Sequence, residues 1–214
     1  MLNNHADINP IIDQNISWPA ARCSNTNLVY FYHNKCASSL YKSLFEKLKW
    51  EKTDTQQIDW EHDRVFSFIR DPLIKHRKGI VEFFIKDPYY PLIEEILKNP
   101  LWIQVLSQVL YIDHHSMSVY SQLGETAKLI DFIPIDIDYD HKQHTINLIK
   151  EYAPISADIE SWFFGLPKIH ESTKKGIEFF ERLMQETTHP QVLRYIDYDT
   201  VLYEIARIKY SNLR

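Results

Sequence analysis

Leu28-Val29-Tyr30-Phe31-Tyr32-His33-Asn34-Lys35-Cys36-Ala37-Ser38-Ser39-Leu40 is the stretch whose reading decides the fold. Residues 28–33 have the apolar, aromatic content of a strand. Beyond the lysine and the small residues, Leu40, Leu44 and Leu48 recur every four positions with Tyr41 and Phe45 beside them, which predicts a helix over 37–49. A strand feeding straight into a helix offers an anion the first helical amides, which lack acceptors within the helix and lie at the positive end of its dipole. Lys35 adds a mobile positive charge. Cys36, Ala37, Ser38 and Ser39 are small enough to let a phosphate or sulfate reach the backbone, and the two serines add hydroxyl donors. With no glycine in the loop, the pattern Gly-x-x-x-x-Gly-Lys-Ser/Thr is missing, and with it the usual arrangement for ATP or GTP with magnesium. Taken alone, an ordinary strand-loop-helix crossover accounts for the segment equally well.

A second segment, Arg64-Val65-Phe66-Ser67-Phe68-Ile69-Arg70-Asp71-Pro72, reads as a buried strand ending in an arginine, then a capping aspartate and a proline at the first helical position. The helix expected over 73–86 carries Lys75, Arg77 and Lys78 in its first two turns. Cations there oppose the dipole at a cost of a few tenths of a kcal/mol each. A nearby anion would offset that cost, and a solvated basic surface is the plain alternative.

Outward from these two segments, strands are expected near 28–33, 64–69 and 128–133, with a short one at 192–196. Helices are expected over 37–49, 73–86, 91–98, 101–111, 140–152, 174–187 and 199–210. Alternating strands and helices predict an α/β fold: a single three-layer domain over 27–214 with a central parallel sheet, preceded by a polar extension, 1–26. Ligands of such sheets sit at the strand C-terminal ends, where Lys35 and Arg70 fall. The 214 residues, 44% hydrophobic and 14% aromatic, suffice for one good core. A net charge of -5 argues against a general nucleic-acid binder. Cys23 and Cys36 make no disulfide framework, and no apolar run or basic-then-apolar leader is present, so a soluble, cytoplasmic protein in a reducing compartment is expected. Among weaker constellations, Asp136-Ile137-Asp138-Tyr139-Asp140 lacks the glycine and glutamate of a calcium loop and reads better as a helix cap. His141 and His144 share a helical face without a third ligand, and Trp162-Phe163-Phe164 reads as core before it reads as an adenine platform.

The pair His33-Asn34-Lys35-Cys36-Ala37-Ser38-Ser39-Leu40 and Phe68-Ile69-Arg70-Asp71-Pro72 resembles the 5′-phosphosulfate loop and the 3′-phosphate segment of sulfotransferases that use 3′-phosphoadenosine 5′-phosphosulfate (PAPS), in particular the carbohydrate type. The resemblance implies a P-loop NTPase-like fold with PAPS as co-substrate and no metal. It places Lys35 on the bridging oxygen, Cys36, Ala37, Ser38 and Ser39 around the phosphosulfate, and Arg70 with Lys78 at the 3′-phosphate. Two positions depart from the family pattern: Lys75 stands for an arginine and Lys78 for a serine. Lysine still binds phosphate, as a point charge rather than a fork.

Weaker similarities follow in the family's order. They are Asp113-His114-His115 leading to Leu129-Ile130-Asp131-Phe132-Ile133, then Leu166-Pro167 through Ser172 with the basic pair Lys174-Lys175, and last Tyr195-Ile196-Asp197-Tyr198-Asp199. Pro134 replaces a glycine and His170 an asparagine, while Lys174 and Lys175 take the place of the basic element that closes over the nucleotide. The implied reaction moves a sulfuryl group in line to a hydroxyl or amine of a carbohydrate or small-molecule acceptor. Lys35 would stabilise the leaving oxygen and His115 would serve as base, with Glu61 and His62 as runners-up. The rival readings are a nucleotide or phosphometabolite kinase and a catalytically decayed nucleotide-binding module.

Overall fold

The structure, a computed structural model, describes residues 17–34, 36–86, 88–136, 140–166 and 173–211. These gather into two compact units, one built from 17–70, 125–166 and 202–211, the other from 71–124 and 173–201.

The first unit carries a five-stranded sheet, order β3-β1-β2-β4-β5, from β1 (Pro19–Arg22), β2 (Leu28–Phe31), β3 (Glu51–Asp54), β4 (Arg64–Ile69) and β5 (Asp131–Pro134). β2, β4 and β5 are parallel, as the crossover pattern predicts, with Tyr30 beside Phe66 and Ile69 beside Pro134. The sheet as a whole is mixed and not purely parallel, because β1 runs antiparallel to both β2 and β3. The β1–β2 hairpin closes through Cys23 N–H to Leu28 O at 2.9 Å, with Asn25 in the left-handed region (φ 61°) that asparagine tolerates. Residues 19–22, expected in a polar extension, therefore lie inside the sheet, where Ala20 and Ala21 are each 2% exposed. β3 is an edge strand of Glu51-Lys52-Thr53-Asp54, whose charges discourage further strand pairing.

Three helices of this unit, α1 (Ser38–Lys47), α6 (His141–Lys150) and α7 (Ala157–Gly165), contribute to one core with the sheet: Tyr41, Leu44 and Phe45 from α1, Ile146 and Ile149 from α6, and Phe163 from α7 join Tyr30, Phe66 and Phe68. Tyr41 stacks on Phe68 with centroids 3.8 Å apart and bonds His141 Nδ1 through its hydroxyl at 2.6 Å. That contact gives His141 a structural part. Asp140 caps α6 by accepting from Gln143 N–H at 2.9 Å, as the helix-cap reading expects, and Phe163 is core rather than an open platform.

The second unit is helical: α2 (Pro72–Ile85), α3 (Leu92–Lys98), α4 (Pro100–Ser107), α5 (Val119–Leu123), α8 (Lys174–Gln185) and the first part of α9 (Pro190–Ser211). Asp71 caps α2 by accepting from Ile74 N–H at 3.0 Å, with Pro72 at the first position, as the sequence dictates. Ile80 and Val81 of α2 pack with Ile96, Ile103, Leu106, Phe179 and Leu183. The strand expected at 192–196 is instead the start of α9. Val192, Ile196, Tyr203, Ala206 and Tyr210 are buried at helical spacing, a period that a window of five residues cannot reveal. Asp199, 2% exposed, accepts from Val119 N–H at 2.7 Å and Tyr120 N–H at 3.1 Å and so caps α5. Among the described residues no helix is long and apolar enough to cross a membrane. Cys23 and Cys36 are both buried and are not joined in a disulfide.

Candidate functional site

In the sheet unit, β2 and β4 end side by side, and the Ser67 hydroxyl donates to Phe31 O at 2.7 Å to lock their ends. After Phe31 the chain turns through His33 and Cys36, both buried, with Cys36 Sγ 3.5 Å from His33 Nδ1. The Cys36 side chain packs in the core, so any ligand contact it makes is through the backbone. Ala37 is left-handed, φ 58° and ψ 17°, a conformation costing a non-glycine residue on the order of 1–2 kcal/mol. A left-handed residue next to helical ones curls successive amides into a concave anion-binding turn. α1 then starts at Ser38 with no side-chain cap, because Ala37 carries no oxygen to supply one. Ser39 is exposed at this end, whereas Lys35 and the Ser38 side chain lie outside the described residues.

Arg70 follows β4 at the same sheet edge, its side chain 20% exposed, and donates through Nε to Asp136 Oδ1 at 3.0 Å. Asp136 follows β5, and the pairing ties the ends of the two strands together. Glu61 and His62 precede β4 and so occupy the opposite edge, where His62 pairs with Asp59 at 2.9 Å; this separates them from the loop. A cavity of about 640 Å³ opens beside the start of α1, lined by Tyr32, Asn34, Ser39, Lys42, Trp50 and Asp54 among others. Its volume suits a small organic ligand. Burial, with Glu46 nearby, pushes the Tyr32 phenol up to about 12.

The helical unit holds the remaining candidates. Of the three α2 cations, Lys75 and Arg77 are not at a solvated face but buried, 2% and 1% exposed. Lys75 Nζ donates to Met117 O, and its charge favours the buried carboxylate of Asp199, which burial pushes upward. Lys78 lies over the Phe180 ring at 5.6 Å. Lys174 is exposed in the first turn of α8, and Lys175 pairs with Glu94 and lies 5.6 Å from the Tyr90 ring centre. Residues 167–172, including His170, lie outside the described residues.

His115 sits in a tight turn after α4, its side chain 12% exposed. Its Nδ1 lies 2.6 Å from Asp113 Oδ2 and its Nε2 2.8 Å from Lys86 Nζ. An ammonium has no acceptor to offer, so Nε2 takes the Lys86 hydrogen and Nδ1 carries the proton donated to Asp113. The imidazole is thus held in one tautomer with its lone pair toward Lys86, the orientation a carboxylate gives a catalytic histidine. The turn itself is fixed by Ser116 Oγ, which accepts from Ile112 N–H at 3.0 Å, and by Asp113 Oδ1, which accepts from His115 N–H at 2.9 Å.

The sheet unit therefore brings residues 36–39 and Arg70 to one edge, and the helical unit contains His115, Lys78, Lys174 and Lys175. The sequence names Asp113 and Asp136, but not their pairing with His115 and Arg70, and it gives no reading of Lys86. Asp113 stands two residues before His115 and was legible as its partner, whereas Lys86 is 29 positions away and had no signal. Compared with known proteins, the chain matches no family model, no curated protein and no solved structure.

Proposed function

We propose that the chain is a PAPS-dependent sulfotransferase acting on a hydroxyl or amine of a small-molecule or carbohydrate acceptor. The observation that carries this reading is the common edge of the parallel strands β2 and β4, where one strand leads to a helix start with a left-handed Ala37 and no side-chain cap from it, and the other to Arg70. In this reading the amides of residues 36–39 take the 5′-phosphosulfate and the Arg70 terminal nitrogens take the 3′-phosphate, while Nε stays with Asp136. The acceptor oxygen or nitrogen attacks sulfur, the bond from sulfur to the bridging phosphate oxygen breaks, and Lys35 meets the charge that grows on that oxygen. The base of this reading is His115: within the helical unit Asp113 fixes its tautomer through Nδ1 and would stabilise an imidazolium, and Nε2 is the nitrogen able to accept a proton. Transfer itself calls for no metal ion.

A second reading has one observation in its favour. Asp136, beside Arg70 after β5, is a carboxylate where a kinase of this architecture could hold magnesium. Calorimetry separates the two: adenosine 3′,5′-bisphosphate without metal binds more tightly than ATP with magnesium if the chain is a sulfotransferase, and the reverse order supports the kinase.

A further inference from the structure

We propose that the turn Asp113-His114-His115 is a binding site for a divalent transition-metal ion of the zinc class, and that Lys86 is the latch that competes with the ion for it. One carboxylate oxygen and one nitrogen from each imidazole lie within 4.8 Å of one another, a span that a single ion draws together with modest side-chain rotation. Two imidazoles and a carboxylate form the nitrogen-and-oxygen donor set that zinc, cobalt and nickel prefer over magnesium or calcium.

The scaffold is stiff. The turn is pinned by the hydrogen bonds of Ser116 and Asp113 and lies against α2 at Gly79, where an added Cβ would come within 2.3 Å of His115 O. Preorganisation of this kind lowers the ordering cost of ligation. His115 is mostly buried and Asp113 partly so, while His114 is exposed, its ring centre 4.0 Å from that of His115, which leaves a solvent side for the ion to enter and keep water.

Lys86 sets the competition. It reaches His115 Nε2 at 2.8 Å and Glu82 at 3.8 Å. If the ion binds Nε2, it takes the ammonium's place. If it binds Nδ1, the ring proton moves to Nε2, which then cannot accept from Lys86. Either way the ammonium must leave, and Glu82 is placed to receive it. The ion would occupy the imidazole that the transfer reading uses as base, yet the site stands on its own geometry and does not depend on that reading.

The test is titration of the whole chain with Zn²⁺ by calorimetry and with Co²⁺ by visible absorption. The expected result is one saturable site per chain with the visible bands of cobalt bound to nitrogen. His114→Ala, an exposed change that spares the fold, should weaken binding by at least about tenfold, the lower end of what even outer partners of metal ligands contribute. Lys86→Met should tighten it on the order of tenfold by removing a positive charge from beside the ion. Absence of a saturable site, binding unchanged in His114→Ala, or no tightening in Lys86→Met would each overturn the proposal.

Discussion

Gly79→Ala should destabilise the protein, although the same change in an open helix does the opposite. Gly79 lies inside α2, where alanine is favoured over glycine by about 1 kcal/mol. An added Cβ would stand 2.3 Å from His115 O, 2.5 Å from His115 C and 2.6 Å from Ser116 Cα, all backbone atoms of the 113–116 turn. Ordinary contacts lie near 3.5–4 Å, so helix and turn must separate by roughly 1 Å. Overpacking of this kind costs about 1–3 kcal/mol, and a backbone neighbour puts it at the upper end. After the helix gain of about 1 kcal/mol, a net loss of about 2 kcal/mol is expected. Gly165, at the end of α7, has nothing within 4 Å of its added Cβ, so Gly165→Ala is the control and should be neutral or stabilise by up to about 1 kcal/mol. Urea unfolding of the two variants beside the parent reads both signs. A Gly79→Ala protein as stable as the parent would refute the close approach of α2 to the turn, and with it the stiffness ascribed to Asp113 and His115.

Two further outcomes concern buried polar groups. The Tyr30 hydroxyl is fully buried in the sheet unit's core and has no hydrogen-bond partner among the described residues, so Tyr30→Phe should raise stability by about 1 kcal/mol; a loss in urea unfolding would mean that the hydroxyl is satisfied. His76 is fully buried, its Nε2 is 3.1 Å from Leu110 O, and burial pushes it down to about 4 from the ordinary 6.5. Because its folded value is depressed, the unfolded chain binds the proton first. Its contribution is therefore full above pH 6.5 and drains away as pH falls toward 4, about 3 kcal/mol in all. His76→Gln should flatten the fall in unfolding free energy between pH 7 and pH 4.5, and an unchanged slope would show that His76 protonates in place.

The parallel part of the sheet was legible because β2 and β4 announce themselves: each is a run of buried apolar residues closed by a change in chemistry, at Lys35 and at Arg70-Asp71-Pro72. β1 was hidden because Pro19-Ala20-Ala21-Arg22 has none of the β-branched or aromatic residues that mark a strand, and its place is set by pairing on both sides. β3 was hidden because an exposed edge strand needs charges rather than an apolar stripe. The 192–196 segment misled because Val192, Tyr195 and Ile196 look like a strand until Tyr203, Ala206 and Tyr210 extend the helical period. At the candidate site, a capping aspartate with its proline is a local device and was read correctly, whereas charge placement is not local. Lys75 and Arg77 read as charges beside an anion, with a solvated basic surface as the alternative, and only tertiary packing shows them buried, Lys75 being matched by Asp199 far along the chain. The carboxylate that holds Arg70 likewise lies 66 residues away.

The central claim, a 3′-phosphate recognised at the edge of β4, is tested most directly by calorimetric comparison of adenosine 3′,5′-bisphosphate with AMP on the parent protein and on Arg70→Ala. The parent should prefer the bisphosphate by at least about tenfold, the scale of one hydrogen bond to a charged group, and Arg70→Ala should lose most of that preference. Equal affinity of the parent for the two nucleotides, or a preference that survives intact in Arg70→Ala, would contradict the account.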